Sequence, residues 1–130
     1  MEITEKMALE RVKSIEDNLM DFKDNIYRIE NMIDECKKRN IKVLLVSMPV
    51  TDYFYQGLNQ EKLKKIERSC NELIKENKNV YFLNMFQDKR FTNEDFFDAD
   101  HLHSDGAIKS SKIVNEYLIQ KNNYEIRKIK

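Results

Sequence analysis

Both histidines of the chain, His101 and His103, fall in one short run, Phe97-Asp98-Ala99-Asp100-His101-Leu102-His103-Ser104-Asp105-Gly106-Ala107. An aspartate three residues before a loop histidine can curl back and accept the ring's N–H. Such a carboxylate fixes the tautomer and stabilises the imidazolium formed when the ring takes a proton from a nucleophile. Asp98 and His101 are therefore the candidate orienting acid and general base. The same run offers a second chemistry, because Asp98, Asp100, His101 and His103 are two carboxylates and two imidazoles suited to zinc or manganese. Consecutive ligands on one loop rarely close a tetrahedron without help from elsewhere. The plainest alternative is a loop histidine that pairs with an acid or caps the following helix.

Other residues around this run carry weaker signals. Tyr53, Phe54 and Tyr55 follow the first predicted strand and could line an acyl or sugar pocket or cover the core; Tyr53 and Tyr55 are the candidate substrate contacts. Arg90 is the guanidinium near the motif that could meet an anionic substrate, its alternative being a surface ion pair with Glu94 or Asp95. Ser47 ends a predicted strand, but Met48-Pro49 follow it and no helix N-terminus supplies N–H donors for an oxyanion. That argues against Ser47 as nucleophile. Phe91, Phe96 and Phe97 are expected in the core, pinning the loop that presents Asp98.

The elements that must position these residues read as an alternation of helix and strand. From Ala8 to Cys36, apolar or small residues recur at Ala8, Val12, Ile15, Leu19, Phe22, Ile26, Ile29, Ile33 and Cys36, one helical stripe. It predicts a long N-terminal helix lying on a sheet, or a coiled-coil arm; capping spacings at Ser14/Asp17 and Asp21/Asp24 would break it near 17–21. Residues 41–47 form an apolar, branched run without polar alternation, the pattern of a strand buried on both faces of a parallel sheet. Asn59 can cap a helix with Leu63, Ile66, Cys70, Leu73 and Ile74 inward. A second strand is expected at 80–83, then a polar and aromatic loop. Ser104 can cap a last helix with Ala107, Ser111, Val114 and Leu118 inward, and the polar tail after Lys121 is expected to fray. The order predicts an α/β fold, a partial doubly wound, flavodoxin-like, three-layer arrangement. The motif then lies at the C-terminal edge of the strands, where such sheets assemble their sites.

With that context, Asp98, His101, Leu102, His103 and Gly106 resemble the last motif of the SGNH (GDSL-like) hydrolase superfamily. The similarity extends over roughly 25–120, within a single domain of 1–130 that has a helical lead-in at 1–24 and a tail at 121–130. It looks most like bacterial D-alanine transfer proteins and surface-glycan acyltransferases or esterases. The resemblance implies ester hydrolysis or acyl transfer on a cell-envelope or surface glycan, with His101 as general base, Asp98 as its partner and no cofactor. It also implies a parent protein at the outer face of a bacterial membrane. The family's nucleophilic serine turn and its oxyanion-hole glycine and asparagine blocks do not occur here, and His103 stands where a small polar residue is usual. The expectation is the C-terminal half of a longer domain, inactive alone and prone to self-associate, with a non-catalytic helical interaction module as the alternative.

Composition narrows the rest. The 23 basic and 23 acidic side chains cancel, so no net field favours nucleic acid or an anionic membrane. No apolar run reaches the ~20 residues of a membrane helix. With Gly 2 and Pro 1, tight turns and flexible linkers are few. Cys36 and Cys70 sit at apolar helical positions without CxxC spacing and read as buried thiols.

Overall fold

The computed structural model describes residues 2–16 and 22–129. Five helices and two strands follow in the order α1 (Glu5–Glu16), α2 (Phe22–Lys38), β1 (Val43–Ser47), α3 (Asp52–Gly57), α4 (Gln60–Glu76), β2 (Val80–Asn84) and α5 (Ser104–Ile129), with a single 3₁₀ turn at Asn93–Asp95. The chain is thus mixed α/β. The expected long N-terminal helix is two helices among the described residues, and its expected break at 17–21 lies outside them.

Strands β1 and β2 pair side by side and in parallel, Val43 opposite Val80 and Ser47 opposite Asn84. The strands were legible, but their predicted burial on both faces is corrected: every residue of β1 is half-buried. A sheet of two strands leaves each strand one open edge, and its faces are too narrow to be sealed. Ile33 of α2 and Leu73 of α4 pack on Val80, joined by Ile29, Val43, Leu45 and Ile74. On the other face Leu44 and Tyr81 meet Tyr117 and Leu118 of α5 around a shallow hollow.

A second apolar cluster lies apart from the first. Ile3, Ala8 and Val12 pack with Phe54, Phe96 and Ala99. The N-terminal stripe therefore divides, its first part holding α3 and the histidine loop, its second part holding the sheet. Its expected role as a coiled-coil arm fails for Ala8, Val12 and Ile33, which are all buried within the chain.

Three local expectations are corrected. Tyr53–Tyr55 lie in α3, not in a loop, because Thr51 caps the helix: its hydroxyl oxygen accepts the Phe54 N–H at 3.4 Å. The inner face of α5 is Gly106, Ser110 and Ile113, while Ala107 and Ser111 are exposed and Leu118 is 44% exposed. The helix also continues to Ile129, through the tail expected to fray. Cys36 and Cys70 are free and half-buried. No helix among the described residues is long and apolar enough to cross a membrane.

Candidate functional site

The loop after β2 is folded back on itself by its own backbone. Phe96 and Leu102 form an antiparallel bridge, and the Phe97 N–H donates to the His101 carbonyl at 2.8 Å. This hairpin leaves residues 98–101 as its tip. The N-terminal region and α3 clamp the tip from below. Thr51, almost fully buried, donates its hydroxyl to the Ala99 carbonyl at 2.9 Å and its N–H to the same oxygen at 3.1 Å.

At the tip, Asp98 Oδ1 accepts the N–H groups of Asp100 at 3.0 Å and His101 at 2.8 Å. This local turn, in which an aspartate satisfies backbone donors two and three residues ahead, is what the side chain is chemically suited to do. Both carboxylate oxygens then stand 3.0 Å from His101 Nδ1. Burial pushes the Asp98 carboxyl up, but the Asp100 N–H, the His101 ring and the His101 N–H together hold it below the ordinary carboxylate value. At neutral pH it is an acceptor only, so the proton of the neutral imidazole sits on Nδ1. Nε2 is left with its lone pair on an exposed ring, the side chain of His101 being 58% accessible.

Arg11, which the sequence did not single out, reaches this tip from α1. Its Nε donates to both oxygens of Asp100 at 3.0 and 3.1 Å. Asp100 Oδ1 lies 3.4 Å from His101 Nδ1, so a second carboxylate flanks the ring with its charge already matched by a guanidinium. No local pattern announces this pair, because its partners are 89 residues apart.

His103 is corrected from candidate ligand to helix cap. Its Nδ1 accepts the N–H groups of Asp105 at 3.0 Å and Gly106 at 3.4 Å, and its other ring nitrogen bonds the Glu94 carbonyl. Both nitrogens are spent, and the ring does the capping expected of Ser104. The residue after it in the motif is equally constrained: a Cβ on Gly106 would stand 2.2 Å from the Asp95 carbonyl oxygen. Gly106 is required here by close backbone approach.

The remaining candidates separate. Arg90 pairs with Asp88, Nε to Oδ1 at 2.9 Å, and not with Glu94 or Asp95. Asp95 is buried instead under Lys109, whose Nζ donates to it at 2.6 Å. Phe96 is buried and Phe91 partly so, while Phe97 is 67% exposed beside Asp98, against expectation. Tyr53 is 40% exposed. Tyr55 stacks edge-on against Phe86 at 5.6 Å and joins Ser47, Ile66 and Phe82 in lining an open groove of about 420 Å³. Asp98 and His101 are not part of that groove's lining. The ligand atoms of Asp98, Asp100 and His101 all lie within 4.8 Å of one another, so the tip brings three of the four candidate metal ligands together and excludes His103.

Among known families, the one described as a protein of unknown function (DUF1574) matches residues 4–117. No curated protein and no solved structure gives a significant match.

Proposed function

The chain belongs to the DUF1574 family, and we propose that within it the Asp98–His101 pair is the acid–base half of a serine-esterase or acyl-transfer site of the SGNH type. The observation that carries this reading is the Asp98 carboxylate 3.0 Å from Nδ1, held by two backbone N–H groups, with Nε2 of His101 open to an incoming hydroxyl. A base so oriented removes a proton from an alcohol held against it and returns it to the leaving group.

The nucleophile and the oxyanion donors come from outside the given chain in this reading. Ser47 is not assigned that role, since it lines the groove on the α4 side, whose lining does not include Asp98 or His101. In a doubly wound arrangement such as the alternation of elements implies, a further strand delivers a serine to the same C-terminal edge. The likeness of the motif supports an ester of a cell-envelope or surface glycan as substrate. The aromatic groove at Tyr55 and Phe86 suits a sugar or acyl group.

Hydrolysis of short acyl esters by a protein that carries this chain together with its nucleophile tests the reading. His101→Ala is expected to lower the rate by ~10³-fold or more, and the given chain alone should show no turnover above its own His101→Ala variant. Activity that survives that substitution sinks the proposal. A metal site is the second reading, supported by the close approach of Asp98, Asp100 and His101. It must displace Arg11 from both Asp100 oxygens, and zinc titration by calorimetry, with Arg11→Ala as the variant that frees Asp100, decides it.

A further inference from the structure

The two strands differ in what their outer edges offer. Val43 donates its N–H to the Asn79 carbonyl at 2.8 Å, and the Ser47 carbonyl accepts the Met85 N–H at 2.9 Å. In a parallel ladder alternate residues turn both backbone groups to the same neighbour. Val43, Leu45 and Ser47 therefore spend theirs on β2, and Leu44 and Val46 point theirs the other way. The sheet has no strand on that side among the described residues.

The outer edge of β2, by contrast, is partly closed. The Val80 N–H donates to the Asn77 carbonyl, the Tyr117 hydroxyl donates to the Phe82 carbonyl at 3.5 Å, and the Asn84 side chain takes the Phe86 N–H. Edge strands that must stay single usually carry a lysine, a proline or a bulge. Val43–Ser47, the strand itself, carries none of these.

We propose that the outer edge of β1 binds the same edge of a second copy, antiparallel, about a two-fold axis through Leu45. In this register Leu44 faces the partner subunit's Val46, and Val46 faces the partner subunit's Leu44. Both are hydrogen-bonded pairs that exchange two N–H···O bonds, so every outward backbone group of the two residues is satisfied. The match is self-complementary, as a two-fold contact requires.

The side chains agree with the backbone. Lys42 falls opposite the partner subunit's Met48, so no like charges meet. Ile41 and Met48 are each 49% exposed at the two ends of the strand. An axis normal to the sheet keeps its faces and sets α5 alongside the partner's α5, covering Leu118, which borders the hollow beside Leu44. The result is a continuous four-stranded sheet. This pairing uses the edge of β1 that the further strand of the esterase reading would also use, so it belongs to the present chain alone, and its failure leaves the Asp98–His101 pair untouched.

Sedimentation velocity across the micromolar range tests it, with two substitutions at exposed Met48. Met48→Lys sets like charges opposite each other at two symmetry-related places and is expected to weaken the dimer roughly fivefold. Met48→Glu sets an acid opposite Lys42 and is expected to hold the dimer at least as tightly as the unsubstituted chain. Thermal melts report that both variants fold. A monomer throughout the range, or a dimer indifferent to the sign of the charge at position 48, overturns the proposal.

Discussion

At the scale of single residues, the histidine tip is a case where one aspartate settles the state of one ring. Asp98 and His101 were legible because their relation is local: an aspartate three residues upstream meets the ring through a turn that its own oxygens build. Arg11 and Thr51 were not legible, since each reaches the tip from a distant part of the chain and neither has a spacing that marks it. His103 stood open between ligand and cap, because composition shows a nitrogen donor but not what its lone pairs already hold. Two outcomes follow. In ring ¹⁵N spectra of the neutral form, His101 is expected to carry its proton on Nδ1, and Asp98→Ala should move that population toward the Nε2–H form usual for a free imidazole. An unchanged tautomer in the variant would mean that the carboxylate does not govern the ring. Gly106→Ala is expected to cost about 1–3 kcal/mol in urea unfolding, as overpacking does, because the new Cβ meets backbone and not a flexible side-chain end. An unshifted midpoint would show that the loop yields more easily than its hydrogen bonds imply.

Among the elements, helices and strands followed their periodicity, and the errors concern faces and ends. The inner face of α5 was displaced by one residue because Gly106 and Ser110 look like surface residues, although they are where the helix approaches the loop closely enough to need small side chains. The aromatic run at Tyr53–Tyr55 read as loop until the Thr51 cap made it a helix, and Thr51 is held by Ala99 across the fold. What fastens α5 to that loop is Asp95. Burial pushes its carboxyl up, yet Lys109 and the Thr92 N–H hold it below the ordinary value on balance. A carboxyl with a depressed folded-state pKa contributes stability that is complete above its unfolded value. That contribution is lost as the pH falls through the folded value. The melting temperature is therefore expected to hold steady above about pH 5 and to decline as acid passes the usual carboxylate range near pH 4. Asp95→Asn should melt lower at neutral pH and flatten that decline. An equally steep acid limb in the variant would assign it to other carboxylates, of which Asp88 and Asp98 are also held low.

For the molecule as a whole, the division into two apolar clusters sets what the site can do independently of the sheet. Ile3, Ala8, Val12, Phe54, Phe96 and Ala99 form one cluster, and Ile33, Leu73 and Val80 form the other, with no buried residue in common. The capping spacings near 17–21 hinted at a break in the stripe from Ala8 to Cys36, but nothing in its periodicity says that its two halves face different partners. The site cluster joins α1 to a loop some ninety positions later, so its closure costs more chain entropy than the local contacts of α2, α4 and the strands. A part of a protein whose contacts must close so long a loop can open at a free energy below that of global unfolding. The helix α1 and the hairpin 96–102 are accordingly expected to exchange amide hydrogens together, and faster than α4 and β1. Phe54→Ala removes one of the two buried aromatics of the site cluster and should lower the local opening energy by about 3–5 kcal/mol. Exchange should then accelerate in α1 and the hairpin, with the amides around Leu73 and Val80 little changed. Ile33→Ala acts on the sheet cluster that the rest is built upon and should accelerate both sets. If Phe54→Ala instead speeds exchange uniformly across the sheet helices, the two clusters unfold as one, and the histidine tip has no opening of its own by which a nucleophile could enter.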